Sequence, residues 1–212
     1  MYDSNKLLDA ANKCNADYVV MTDYPNEDYH KTIEKAKETA DTLIKHNFKP
    51  FFCPQSIEGD IEGLIKSFFW AKNDPRIEII GFSILAIPNA YGVLKDPLQR
   101  FLSRWRFICE LNKRGFFRDN TKKLHLLGML DGPNEIGLLK EFLSEFSSWD
   151  SSAAVWAGIN GFVFDNSPTG MITGKFEREV YFDHDTADLT DIAFATKNLK
   201  YIDGMIDEVL RR

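Results

Sequence analysis

The sequence predicts an α/β fold built from parallel strand–helix units. Three observations carry that reading. Short apolar runs at residues 17–22, 50–54, 77–87 and 123–130 alternate with longer segments of helical period. The third run, Ile77-Glu78-Ile79-Ile80-Gly81-Phe82-Ser83-Ile84-Leu85-Ala86, is almost wholly apolar, as a strand covered on both faces must be. Each run also leads into a polar or glycine-containing patch: Asp23, Gln55, Pro88-Asn89 and, after Leu127, Gly128. In parallel α/β folds the chemistry sits at such carboxyl ends of strands.

The elements follow in order. Ser4 can cap a helix to about residue 15 with Leu7, Leu8 and Ala11 inward. The strand at 17–22 ends at Pro25-Asn26. A long helix over 29–46 places Ile33, Ala36, Ala40, Leu43 and Ile44 on one face. After the strand at 50–54, a helix over 60–72 buries Ile61, Leu64, Ile65 and Phe68. Pro97 opens a helix to about residue 114. The strand at 123–130 leads to a helix over 135–146 and a short strand at 147–152. Residues 160–174 read as a loop, 175–183 as an alternating strand, and 187–210 as helix, in one or two pieces. No internal repeat or linker breaks the chain, so it reads as one domain over 1–212. No Gly-x-Gly-x-x-Gly follows a strand, which removes support for a dinucleotide fold. The rival, a (β/α)8 barrel, needs eight strands, and five or six are counted.

The 212 residues are 44% apolar and 13% aromatic, ample for a packed core. No apolar run reaches the ~18–20 residues that span a bilayer, so no membrane role is expected. Cys14, Cys53 and Cys109 are odd in number and widely spaced, which suggests buried thiols in a reducing cytoplasm. Without a Cys-x-x-Cys pair, no metal site is expected. The net charge of −6 argues mildly against a broad nucleic-acid surface. Residues 95–123, however, hold nine Lys or Arg against three Asp or Glu. That stretch is either a solvated helix face or a local phosphate stripe with Arg100, Arg104 and Arg106 as contacts.

Three side chains are candidates for chemistry. Asp150, in Ser147-Ser148-Trp149-Asp150-Ser151-Ser152, reads as a cap or as a carboxylate nucleophile steadied by hydroxyls and an aromatic wall. Asp23 is a turn residue before Pro25 or an acceptor for a ligand's N–H groups. Gln55 is a loop residue or, because it both donates and accepts, a reader of a nucleobase edge. His125 reads as a core or rim histidine. Asp183-His184-Asp185 cannot turn three adjacent side chains onto one ion from a regular strand.

These patches together resemble the tRNA-guanine transglycosylase superfamily. Ala16-Asp17-Tyr18-Val19-Val20-Met21-Thr22-Asp23 is similar to the family's strand ending in a guanine-binding Asp. Pro54-Gln55-Ser56 is similar to its Gln turn. Gly81-Phe82-Ser83-Ile84-Leu85-Ala86-Ile87-Pro88 resembles the segment whose backbone reads the base. Leu124-His125-Leu126-Leu127-Gly128 resembles the next strand, and Trp149-Asp150-Ser151-Ser152 falls where the nucleophilic Asp lies. The resemblance covers about residues 5–160.

The resemblance implies a (β/α)8-type TIM barrel and a base exchange. Asp150 would be the catalytic nucleophile. Asp23 and Gln55, with the backbone of Ile84, Leu85 and Ala86, would hold the guanine, and Tyr24, Tyr91 or Trp156 would stack on it. The family's tRNA enzymes carry a three-Cys, one-His zinc site, which this sequence does not have. It is therefore most similar to the shorter phage-associated branch that places 7-deazaguanines in DNA. That implies nucleic acid as partner, DNA ahead of tRNA, no cofactor, and the cytoplasm of a host as location. The family's first strands and their acid/base Asp have no counterpart before the first helix. The barrel is thus expected to be incomplete at the N-terminus, with a homo-oligomer or a separate N-terminal chain covering the open edge. Two alternatives stay open. One is a barrel hydrolase or lyase using Asp23 and Asp150 as an acid/base pair on a small metabolite; the other is a non-catalytic purine- or partner-binding subunit.

Overall fold

A computed structural model of the chain describes residues 4–129, 132–164 and 189–211. The elements are α1 (Ser4–Lys13), β1 (Tyr18–Val20), α2 (Tyr29–Lys45), β2 (Lys49–Phe52), α3 (Ile61–Asn73), β3 (Ile79–Ser83) and α4 (Ala86–Ala90). They continue with α5 (Pro97–Lys113), β4 (Lys123–Leu127), α6 (Pro133–Leu139), β5 (Ser148–Trp149), α7 (Ala153–Ile159) and α8 (Leu189–Leu210). The strands form one curled sheet in the order β1-β2-β3-β4-β5. Tyr18 pairs with Lys49, Phe51 with Ile79, and Ile79 with Lys123, all parallel. A doubly wound sheet reverses direction at a switch point, and a barrel adds each strand beside the previous one. This sheet follows the second rule, as a half-barrel.

By its internal contacts the chain divides into two compact units. One comprises residues 1–127 and 146–148, the other 128–145 and 149–212.

In the first unit the side chains of Ile80, Phe82, Leu124 and Leu126 face the helices and are fully buried. There Phe82 meets Phe68, Phe107 and Phe116 edge to face, with ring centroids 4.6–6.3 Å apart. Such pairs add about 0.5–1.5 kcal/mol each beyond simple burial. On the other face of β3 sits Gly81. A Cβ there would lie 2.5 Å from a Leu127 methyl and 2.7 Å from the Phe51 ring, so a side chain at this position would have to displace both. Helix starts are set locally. Asp28, Asp60 and Asp96 each accept a backbone N–H from the first turn of α2, α3 and α5.

Two expectations about elements change. The third strand does not run through residue 87 but stops at Ser83. The Ser83 Oγ accepts the N–H groups of both Leu85 and Ala86 at 3.1 Å, and the chain turns into α4. The segment before β5 is α6 followed by a 3-10 turn at Leu143–Glu145 rather than one helix. The predicted strand at 175–183, most of the loop at 160–174 and the Asp183-His184-Asp185 triplet lie outside the described residues. So does any structure preceding α1.

In the second unit α7 lies directly on α8. A Cβ on Gly158 would fall 2.3 Å from the Ala195 backbone nitrogen, so the two helices touch backbone to backbone. Asn198, fully buried on α8, ties the two together. Its Nδ2 donates to the carbonyls of Ala154 and Phe162, and its Oδ1 accepts the Phe164 N–H at 2.7 Å. A buried amide with every group matched fixes one packing and no other. Among the described residues no helix is long and apolar enough to cross a membrane.

The end of the sheet remote from the strands' carboxyl termini is held by an ion pair. Asp74 accepts from Arg76 Nε at 3.0 Å and from Nη2 at 2.7 Å, and Arg76 reaches on to Asp41 of α2. The Asp74 side chain is only 10% exposed, and the hydrogen bonds from Arg76 hold its carboxyl below the ordinary 3.8. A depressed carboxyl contributes stability that is present above the unfolded value and is lost as pH falls through the folded one. Asp74→Asn is therefore expected to cost about 1–2 kcal/mol at neutral pH. The gap from the parent should close as pH drops below 3.8. Urea unfolding at pH 7 and pH 3 measures both ends; an equal cost at the two would remove the ion pair from this role.

Candidate nucleobase cavity

The carboxyl ends of the first three strands open onto a cavity of about 300 Å³ in the first unit. It is lined by Asp23, Pro25, Asn26, Cys53, Gln55, Ser83, Leu85, Ala86, Asn89 and Leu94. That size stands at the lower bound of small-ligand sites, which run from about 300 to 1,000 Å³. Asp23 follows β1 by three residues, Gln55 follows β2 by three, and Ser83 closes β3. The sequence-predicted Asp23, Gln55, Leu85 and Ala86 therefore meet, although 62 positions separate the first from Leu85.

The polar floor has a defined polarity. Gln55 is 95% buried. Its Nε2 donates to Asp23 Oδ2 at 2.5 Å and lies 3.6 Å from Cys53 Sγ. A carboxylate only accepts, so the amide must turn its nitrogen to Asp23. Among the described residues the Gln55 Oε1 makes no hydrogen bond, and the Asp23 carboxylate has the Cys53 thiol as its other neighbour. The cavity thus offers two acceptors side by side. The resemblance implies that Gln55 faces the O6 of a guanine; here its amide nitrogen is engaged by Asp23. Cys53 is buried beneath them, and burial first, then the charge of Asp23, pushes its thiol well above the usual range. It stays protonated and unreactive. Cys14, in contrast, is exposed and Cys109 half-buried, so the thiols are not all interior.

A second set of amides stiffens the rim. Asn89 donates to the Ser56 carbonyl at 3.1 Å and to Asn26 Oδ1 at 3.4 Å. Asn26 Oδ1 also accepts the Glu58 N–H at 2.9 Å. Asn26 sits at φ +58°, a left-handed conformation that Asn tolerates better than most residues. Ser83, Asn26, Asn89 and Cys53 were not singled out from sequence. The Pro-Asn pairs at 25–26 and 88–89 were visible there only as strand breakers.

Other predicted residues fall elsewhere. The Ile84 N–H donates to Leu127 O at 3.0 Å, and those of Leu85 and Ala86 go to Ser83. The two backbone groups expected to contact a base are thus engaged, the Ile84 N–H with Leu127 and the Leu85 carbonyl with the Asn89 N–H at 3.1 Å. Tyr91 is not at this cavity. It lines a separate one of about 370 Å³ with Trp105 and Cys109, its ring covered by the Arg106 guanidinium at 4.6 Å. Tyr24 carries Lys31 over its ring at 4.6 Å and is not among the lining residues. The walls are aliphatic instead: Leu85, 60% exposed at the mouth, with Leu94, Pro25 and Ala86.

Arg104 is 99% buried and donates to the Leu127 carbonyl at 3.0 Å, so it belongs to the core and not to a phosphate stripe. Arg106 is engaged with Gln99 and Tyr91, Arg114 with Glu62 and Glu110, and Lys122 with the carbonyls of Asp74 and Ile77. Lys95, Arg100 and Arg118 make no ion pair among the described residues.

In the second unit Asp150 directly follows β5 and is exposed. Its Oδ1 accepts the Gly128 N–H at 3.1 Å and its carbonyl the Met129 N–H at 2.8 Å. Ser151 Oγ bonds the Met129 carbonyl at 2.6 Å, so the turn is pinned from both sides. Trp156 lies on α7 in the same unit. His125, on β4, shares a 2.8 Å hydrogen bond with Ser148 and meets Phe51 edge to face, in keeping with a rim histidine. Among the described residues no group of three His, Cys, Asp or Glu could hold a metal ion.

Fold and cavity define a parallel α/β protein with a small pocket at the carboxyl ends of its first three strands. Compared with protein-family models, curated proteins and solved structures, the chain finds no match.

Proposed function

We propose that the cavity binds a guanine-type base and that the chain is a base-exchange transglycosylase acting on nucleic acid. The observation that carries this reading is the pair of adjacent acceptors, Asp23 and Gln55 Oε1, at the floor of an aliphatic slot. Guanine presents two donors on one edge, N1–H and the 2-amino group, and a flat apolar face. Adenine presents an acceptor at N1 and is disfavoured there. The sequential parallel sheet supports the barrel framework in which this chemistry is expected, with a complete (β/α)8 barrel as part of the proposal.

The reading assigns glycosyl transfer to Asp150. One carboxylate oxygen attacks C1′ of the nucleotide. The C1′–N9 bond breaks, its electron pair stays on N9, and the departing guanine takes up a proton. The ester so formed is then attacked at C1′ by N9 of an incoming 7-deazaguanine, which gives up its proton as the ester bond breaks. Two displacements give net retention, as in retaining glycosidases. The target base must leave its stack, which favours single-stranded or flipped substrate. DNA is the favoured polymer and tRNA the alternative. Lys95, Arg100, Lys113 and Arg118 are candidate cations for phosphates.

The test is incorporation of labelled guanine into DNA oligonucleotides and into a tRNA transcript, alongside equilibrium binding of free guanine. Exchange into one of the two polymers is expected, weak for this chain alone because the resemblance assigns the acid/base step to an Asp that it does not match here. Guanine binding without exchange into either would reduce the protein to a purine-binding module, and no guanine binding would end the reading altogether.

A further inference from the structure

We infer that Ser83 is the specificity-determining donor that reads the 6-carbonyl of the bound base. The inference rests on the guanine reading and gives a role to a side chain of the Gly81–Pro88 segment, of which only the backbone was expected to contact the base. Beside Asp23 and Gln55 the floor offers acceptors, and the Asn26 amide, on the rim, is the other side-chain N–H of the lining. Gln55 commits its amide nitrogen to Asp23, and Asn89 commits its own to Ser56 and Asn26. The backbone N–H groups of Ile84, Leu85 and Ala86 are all engaged. A guanine whose N1–H and amino group faced Asp23 and Gln55 would bring a carbonyl oxygen into the slot beside them. That oxygen needs a donor.

Ser83 lines the same cavity, and its Oγ accepts two backbone N–H groups at 3.1 Å each. A serine hydroxyl has one hydrogen to give, and this one has no acceptor among the described residues. Two incoming N–H dipoles draw electron density from the oxygen and make its O–H a stronger donor. Those bonds also hold the oxygen in place, because they form the turn from β3 into α4. The hydroxyl is therefore positioned, polarised and unspent. The same atom ends the strand and completes the donor–acceptor pattern of the slot.

The test compares guanine with 6-thioguanine, in which sulfur, a weaker acceptor, replaces only the carbonyl oxygen. Equilibrium binding is measured for the parent chain, Ser83→Ala and Ser83→Thr. Ser83→Ala is expected to weaken guanine by about tenfold and 6-thioguanine much less, so that the preference between them shrinks. Ser83→Thr keeps the hydroxyl and should keep the preference. A purely structural role, through the lost cap on Leu85 and Ala86, would weaken both ligands alike, and equal losses or no loss overturn the assignment. If the parent binds neither ligand, the guanine reading itself fails and takes this inference with it. If the parent binds guanine in an Asp23-dependent way and Ser83→Ala leaves the preference intact, only the role of Ser83 is lost.

Discussion

Asp23→Asn is expected to weaken guanine binding by about 100-fold while the chain stays folded. The carboxylate is the centre of the cavity's polarity. One oxygen orients Gln55 through the 2.5 Å hydrogen bond, and that orientation is what turns the Gln55 carbonyl toward the slot. An amide at position 23 has a donor where an acceptor stood. It either sets two NH2 groups against each other or releases Gln55 to rotate, and both outcomes spoil the acceptor pair. A hydrogen bond to a charged group is worth about 1.5–3 kcal/mol, and guanine would lose one while its second acceptor is misdirected. Asp23 lies in a loop after β1 and carries no core packing, so urea unfolding should move little. Calorimetric titration with guanine measures the loss. An affinity equal to the parent's would take Asp23 out of base reading.

The largest expected effect belongs to Asp150→Asn, which should lower base exchange by at least about 10⁴-fold, as removal of a covalent nucleophile does. An amide cannot form the glycosyl ester. The substitution is structurally mild, because an Asn Oδ1 can accept the Gly128 N–H as the Asp does and the backbone bond to Met129 is untouched. Guanine affinity should stay at the parent's value, which separates transfer from recognition. Exchange of labelled guanine into DNA and tRNA is the assay, with denaturing gels to look for a chain–nucleic acid adduct in the parent. Exchange by Asp150→Asn at the parent's rate would refute the nucleophile assignment.

The strands and helices were legible because their signals are local. β1, β3 and β4 sit inside the apolar runs and β2 begins one residue before its own, and α2, α3 and α5 begin at Asp or Pro residues whose capping chemistry can be read directly. Asp23 and Gln55 were legible for the same reason, as polar residues ending apolar runs. What escaped was set by partners distant in sequence. Arg104 looks like any other cation of a basic helix until Leu127, 23 residues on, is found to accept from it. The early stop of β3 follows from a side chain taking two backbone hydrogens, which no periodicity records. The Gln55 amide direction follows from Asp23, 32 residues away. α7 was missed because its packing depends on Gly158 meeting Ala195, and a glycine in a short apolar segment gives no such warning.

The strand order has a consequence for how the molecule comes into being. Each of β1 to β4 pairs with the strand next to it in the chain, so no pairing waits for a distant segment. Chains emerge from the ribosome N-terminus first, at about 5–20 residues per second, and local pairings form fastest. Every residue lining the Asp23–Gln55 cavity lies between positions 23 and 94. Its lining is therefore synthesised before Asp150 and most of the second unit leave the ribosome. The cavity can therefore take shape during translation, with Asp150 arriving only afterwards.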